Sequence, residues 1–95
     1  KSFFELGIGG GFISKYILSK FNIKKAYLND VDKQSIEYAV SDLNLPKLLN
    51  SKLKTITIKH PFNCKIIEKN GIKFFQGDGI NTLNFLILEL IKILI

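Results

Sequence analysis

A run of glycines and an acid nineteen positions beyond it are the parts of this chain whose types and spacing could do chemistry. Glu5-Leu6-Gly7-Ile8-Gly9-Gly10-Gly11 sets a glycine-rich bend directly after the apolar run Phe3-Phe4 and before an amphipathic stretch. Glycines let a backbone approach a ligand closely, because no side chain intervenes. A helix starting at Phe12 would present free N–H groups and the positive end of its dipole at the same place. Asp30 ends the next apolar run, nineteen positions beyond Gly11. An acid at that spacing accepts hydrogen bonds from ribose hydroxyls in a nucleoside-binding βαβ unit. Gly77-Asp78-Gly79 has the composition of a turn. Glycines alone could serve a tight turn. The order strand, glycines, helix, strand, acid is what points to a nucleoside-type ligand.

The dinucleotide fingerprint requires Gly-x-Gly-x-x-Gly. Here Phe12 stands where its last glycine would follow Gly7 and Gly9. The alternation Glu5-x-Gly7-x-Gly9-x-Gly11 instead resembles the first motif of class I S-adenosylmethionine-dependent methyltransferases. Asn29-Asp30-Val31-Asp32, followed by Ile36-Glu37-Tyr38-Ala39, resembles their second motif, an acid followed by a helix. Ile72-Lys73-Phe74-Phe75-Gln76-Gly77-Asp78-Gly79 resembles their third strand, which ends in Gly-Asp. The resemblance implies S-adenosylmethionine as cofactor and a role for each matching residue. Glu5 would lie near the cofactor's amino group, and Gly7, Gly9 and Gly11 against its amino-acid portion and ribose. Asp30 would accept the ribose hydroxyls and Val31 would touch the adenine face. Asp78 would accept from the adenine amino group, with Gly77 beside it. Asp32 reads first as a helix N-cap.

The chain departs from that family in two ways. The stretch from Asp30 to Asp78 is long, and residues 46–68 read as an insertion. Nothing after Gly79 resembles the family's catalytic segment, so the catalytic residues stay unassigned. A methyl-acceptor substrate is implied. RNA leads among acceptors, because the Asn29-Asp30 pair and the positive charge are similar to tRNA guanine dimethyltransferases. Two other readings stand beside this one. One is a nicotinamide- or flavin-binding oxidoreductase domain built on the same βαβ logic. The other is a non-catalytic, truncated binding module whose apolar C-terminal run seeks a partner or a missing C-terminal part.

The elements that must hold these residues follow from periodicity. Ser2 to Leu6 and Lys25 to Asn29 read as buried strands. Between them Ile13, Tyr16, Ile17 and Phe21 keep a helical period. A helix from Lys33 to Leu43 would bury Ile36, Ala39, Val40 and Leu43 and end before Pro46. Alternating strands and helices predict an α/β fold of the Rossmann-like class I methyltransferase type: a parallel sheet with helices on both faces, truncated and carrying a β-hairpin insertion. Thr55 to Ile58 alternates as a strand. Cys64 to Glu68 and Ile72 to Gln76 flank Asn70-Gly71, a strong hairpin signal. Leu83 to Ile95 reads as a buried helix with Thr82 as N-cap, or in its tail as a strand.

With 95 residues there is room for one small domain, 1–95. All fourteen cationic residues are Lys, and the net charge is +6. Lysines attract phosphate backbones without the planar fork that reads a base. The single cysteine, Cys64, cannot form an internal disulfide, which fits a reducing, cytoplasmic setting and a small buried side chain. His60 is also alone, so no Cys/His metal site is expected, and His60-Pro61 predicts a turn. The apolar tail is too short to span a bilayer and no signal peptide is seen. The chain begins inside a strand without Met and is read as a piece of a longer one.

Overall fold

The structure, a computed structural model, describes residues 1–45 and 52–94. Five strands form one sheet: β1 (Ser2–Leu6), β2 (Lys25–Asp30), β3 (Lys54–Ile58), β4 (Cys64–Lys69) and β5 (Ile72–Gln76). Three helices accompany them: α1 (Phe12–Lys20), α2 (Lys33–Asp42) and α3 (Gly79–Leu94). The sheet order is β1-β2-β5-β4-β3. β1, β2 and β5 run parallel, with Phe4 opposite Tyr27 and Tyr27 opposite Lys73. β4 and β3 run antiparallel beyond β5. The protein is therefore a small α/β domain with a mixed sheet: the parallel pairing expected is confined to β1, β2 and β5, and the hairpin expected at Asn70-Gly71 continues the sheet with antiparallel strands. The reason is local. Asn70 and Gly71 have φ of 52° and 79°, the left-handed pair of a two-residue hairpin turn, and that turn forces β4 antiparallel to β5. The described part of the segment read as an insertion, residues 52–68, supplies β3 and most of β4. Pro46, expected to end the second helix, lies outside the described residues.

Adjacent residues of each strand point to opposite faces, and the core splits accordingly. On one face Leu18 of α1, Ile36 and Ala39 of α2, and Leu43 just after it pack on Ala26, Leu28, Ile72 and Phe74. On the other, α3 packs Phe85 and Leu86 against Cys64, Ile66 and Phe75. Phe74 and Phe75 are both fully buried, one in each core. Full burial of such a side chain is worth about 1.5–3 kcal/mol. The turn of the β4–β5 hairpin is tied to the end of α2: Lys69 Nζ donates to the Val40 carbonyl at 2.9 Å, and Asn70 Nδ2 to Asn44 Oδ1 at 3.3 Å.

Two helices differ from expectation. α1 does not bury Ile13, Tyr16 and Phe21, which are exposed; its inward residues are Ser14 and Leu18. α3 begins at Gly79 rather than Leu83 and remains helical to Leu94. Its cap is Asp78, whose carbonyl accepts from Thr82 N–H and whose Oδ1 accepts from Asn81 N–H, both at 3.0 Å. Thr82, expected as the cap, is a buried residue of the first turn. Ile87, Leu88, Leu90 and Ile91 are exposed on the second half of α3, beside an open apolar groove of about 720 Å³ over Tyr27, Ile66 and Phe75. No helix among the described residues is long and apolar enough to cross a membrane.

Candidate functional site

The carboxyl ends of the parallel strands β1, β2 and β5 lie side by side, and each opens into a loop carrying the residues singled out from sequence. Ligands of open α/β sheets bind outside such strand ends. After β1 the chain bends through Gly7, Gly9 and Gly11, with φ of 67°, 56° and 78°. These left-handed values explain the alternation, since other residues adopt them only at a cost. A side chain added at Gly7 or Gly9 would meet no atom within 4 Å. The bend therefore borders open space, a cradle that side chains would fill. Gly11 is the N-cap of α1 and supplies no side-chain cap, so the first turn of that helix keeps N–H groups for another acceptor.

The tip of β2 holds both neighbouring loops. Ile8 N–H donates to the Asn29 carbonyl at 3.0 Å, and Gly77 N–H to the Asp30 carbonyl at 3.0 Å. The Asp30 side chain turns toward the glycine bend. Its Oδ2 accepts from Gly9 N–H at 2.8 Å and its Oδ1 from Asp32 N–H at 2.9 Å. Each carboxylate oxygen has further lone-pair capacity, which suits two neighbouring hydroxyls. The structure thus brings Gly7, Gly9, Gly11, Asp30 and Gly77 into one connected set.

Glu5, at the end of β1, is half-buried and accepts a hydrogen bond from the Ser14 hydroxyl. This contact accounts for the turned face of α1. A half-buried carboxylate needs a donor, so the small polar residue takes the inward position and the apolar ones face outward. Val31 follows Asp30 and is 74% exposed, free to cover a ligand. Asp78 is exposed and spends one oxygen on capping α3, which leaves the other available. Asp32 caps α2 through hydrogen bonds from the Ser35 hydroxyl at 2.8 Å and the Ser35 N–H at 3.0 Å. The Ser35 hydroxyl first, then the Ser35 N–H, hold its carboxyl below the ordinary value. Gly77 has no room for a side chain: a Cβ there would lie 3.0 Å from Cys64 Cβ and 3.2 Å from the Asn63 carbonyl.

Sequence reasoning missed two residues that shape the site. Ser14 is fully buried under Glu5. Its signal was the spacing of Gly11, Ser14 and Leu18 on one helix face, hidden by the more apolar face beside it. Asn29 was noted only as the neighbour of Asp30, yet it is 2% exposed in a strand whose other buried residues are apolar. Cys64 is buried and burial pushes its thiol up, so it offers no ready thiolate. No group of three or more His, Cys, Asp or Glu among the described residues could hold a metal ion.

In a 68-position alignment that covers 59% of the chain, it is 34% identical to the malonyl-[acyl-carrier protein] O-methyltransferase of Acinetobacter baylyi. The chain is similar to part of a methyltransferase. It spans 27% of that relative's length. No family model matches the chain, and no solved structure matches it significantly. That relative is named for a carrier-bound acid and not for RNA.

Proposed function

We propose that the chain is the S-adenosylmethionine-binding portion of a methyltransferase, with a Rossmann-like arrangement in β1, α1, β2, α2 and β5. The observation that carries this reading is the contact between Gly9 N–H and the Asp30 carboxylate, which joins the side-chain-free bend to the acid of the next strand. Glu5 and Asp30 set negative charge at the bend, and Asp78 adds a carboxylate at the end of the neighbouring strand β5. That set fits a ligand bearing a sulfonium and an ammonium group. Asp30 alone would suit the ribose of a dinucleotide equally; Glu5 at the foot of the bend would set like charge beside a pyrophosphate, and Phe12 takes the place of the dinucleotide fingerprint's last glycine.

In this reading Asp30 accepts the ribose hydroxyls, Val31 covers the adenine and Asp78 accepts from its amino group. Glu5, held by Ser14, faces the ammonium group, and Gly7, Gly9 and Gly11 admit the amino-acid portion and ribose. Gly77 keeps the Asp78 loop against Cys64. When bound, the cofactor supplies an electrophilic methyl group. The residues of this chain bind and align it, and alignment is the main requirement of such a transfer.

The acceptor is proposed as anionic. The relative's name gives a carrier-bound acid as its acceptor, while the +6 charge and the Asn29-Asp30 pair point to RNA. A lysine-rich surface serves either. The exposed apolar half of α3 favours a covering partner, whether more of a methyltransferase domain or another chain.

Isothermal titration tests the reading. S-adenosylmethionine and its demethylated product, S-adenosylhomocysteine, are expected to bind while NAD does not. Binding of NAD alone would replace the reading with the oxidoreductase one. Indifference to all three ligands would leave a non-catalytic module.

A further inference from the structure

A parallel strand covered on both faces is normally apolar throughout. β2 breaks that rule at Asn29, directly before Asp30. The Asn29 Nδ2 lies 2.9 Å from the Gly77 carbonyl, 3.1 Å from the Phe75 carbonyl and 3.1 Å from Thr82 Oγ1. Its own carbonyl accepts from Ile8 N–H. One buried residue therefore touches the glycine bend, the end of β5, the loop bearing Asp78 and the first turn of α3. Gly79 permits this closeness, since a Cβ there would lie 3.3 Å from Asn29 Oδ1 and 3.5 Å from Leu6 Cδ2.

We infer that Asn29 is a positioning residue that fixes the Gly77-Asp78 loop relative to the Asp30 carboxylate, and so sets selectivity for adenine over other bases. The inference rests on the cofactor reading above. The two N–H bonds of the amide serve carbonyls of β5 and of the loop, and the contact to Thr82 adds the helix that Asp78 caps. With these contacts in place, Asp78 can accept from a base amino group only at one distance from the ribose that Asp30 holds. Loosening the clamp leaves the ribose contacts intact and blurs the reading of the base.

The test compares S-adenosylhomocysteine with its inosine counterpart, in which an oxygen replaces the adenine amino group. Titrations use the intact 95-residue chain. The unsubstituted protein is expected to prefer the adenosine form by about tenfold or more, because a carboxylate facing that oxygen is left without its donor. Asn29→Ser and Asn29→Leu should cut the ratio to about threefold or less, with most of the loss on the adenosine form. A purely structural role would weaken both ligands equally and keep the ratio. Thr82→Val removes one acceptor while both Asn29 N–H bonds keep partners, so it decides the matter if the Asn29 variants unfold; its ratio should fall about two- to threefold. An unchanged ratio in Thr82→Val and in every folded Asn29 variant overturns the inference and spares the cofactor reading. Equal binding of both ligands by the unsubstituted protein removes Asp78 from the base and overturns the inference too. Binding of neither defeats the cofactor reading itself.

Discussion

Gly9 and Asp30 stand 21 residues apart in the chain, and the Gly9 N–H donates to the Asp30 Oδ2 at 2.8 Å. The bond fixes the position of the bend before any ligand arrives. It also leaves the carboxylate facing the space that the glycines keep open.

Asp30→Ala should therefore act on ligand and loop together. Loss of the carboxylate leaves Gly9 N–H and the ligand hydroxyls without their acceptor, at a cost of about 1–3 kcal/mol in S-adenosylhomocysteine affinity. Titration calorimetry on the folded variant measures it. An unchanged affinity would take Asp30 out of the site.

Gly9→Ala separates conformational cost from lost space. At φ 56° an alanine is strained by about 1–2 kcal/mol, yet its methyl group meets no protein atom within 4 Å. Thermal unfolding should show that modest loss. Ligand affinity should drop further, because the methyl group enters the volume proposed for the cofactor. A stability loss with no change in affinity would mean the open space is not the binding space.

Ser14→Ala removes the hydroxyl that donates to Glu5. A hydrogen bond to a charged group contributes about 1.5–3 kcal/mol, so chemical denaturation should show a loss in that range. Glu5→Gln, which keeps an acceptor for the serine, should lose less stability and more affinity for a ligand bearing an ammonium group. Equal stability losses in the two variants would contradict the assigned roles.

Asp32 makes α2 acid-sensitive. Its carboxyl titrates below the ordinary value in the folded protein because of Ser35. A depressed folded value stabilises the protein above the ordinary carboxylate range, and that stabilisation is lost as pH falls through the folded value. Asp32→Asn keeps a capping oxygen that does not titrate. Its melting temperature should fall less steeply than that of the unsubstituted protein below about pH 4. Parallel pH profiles would show that the cap contributes nothing to acid sensitivity.

Much of this frame was legible because local signals agreed with one another. The glycine bend, the Asp30 strand end, the Asp32 cap and the Asn70-Gly71 hairpin each depend on residues close in sequence. What was not legible depends on contacts distant in sequence. Ser14 turns inward because Glu5, on another element, needs a donor, and the more apolar face of α1 masks the spacing that Ser14 shares with Leu18. Asn29 looked like part of a pair with Asp30, whereas its partners Phe75, Gly77 and Thr82 lie more than forty residues on. What escaped in the sheet was the partner of Thr55 to Ile58: its place antiparallel to β4, at the sheet edge, has no local signal. Asp78 took the cap expected of Thr82 because the helix starts three residues after β5 ends, bringing Thr82 under the tip of β2.

Under the proposed function, the bend and the acids converge on one adenosine-bearing ligand. Amide NMR during titration with S-adenosylhomocysteine tests it most directly. Gly7, Gly9, Gly11, Val31 and Asp78 should shift together along a single binding curve, while amides beneath the second half of α3, such as Tyr27 and Ile66, stay in place. Saturation with the strand-end amides unmoved, or with shifts confined to the α3 groove, would contradict it.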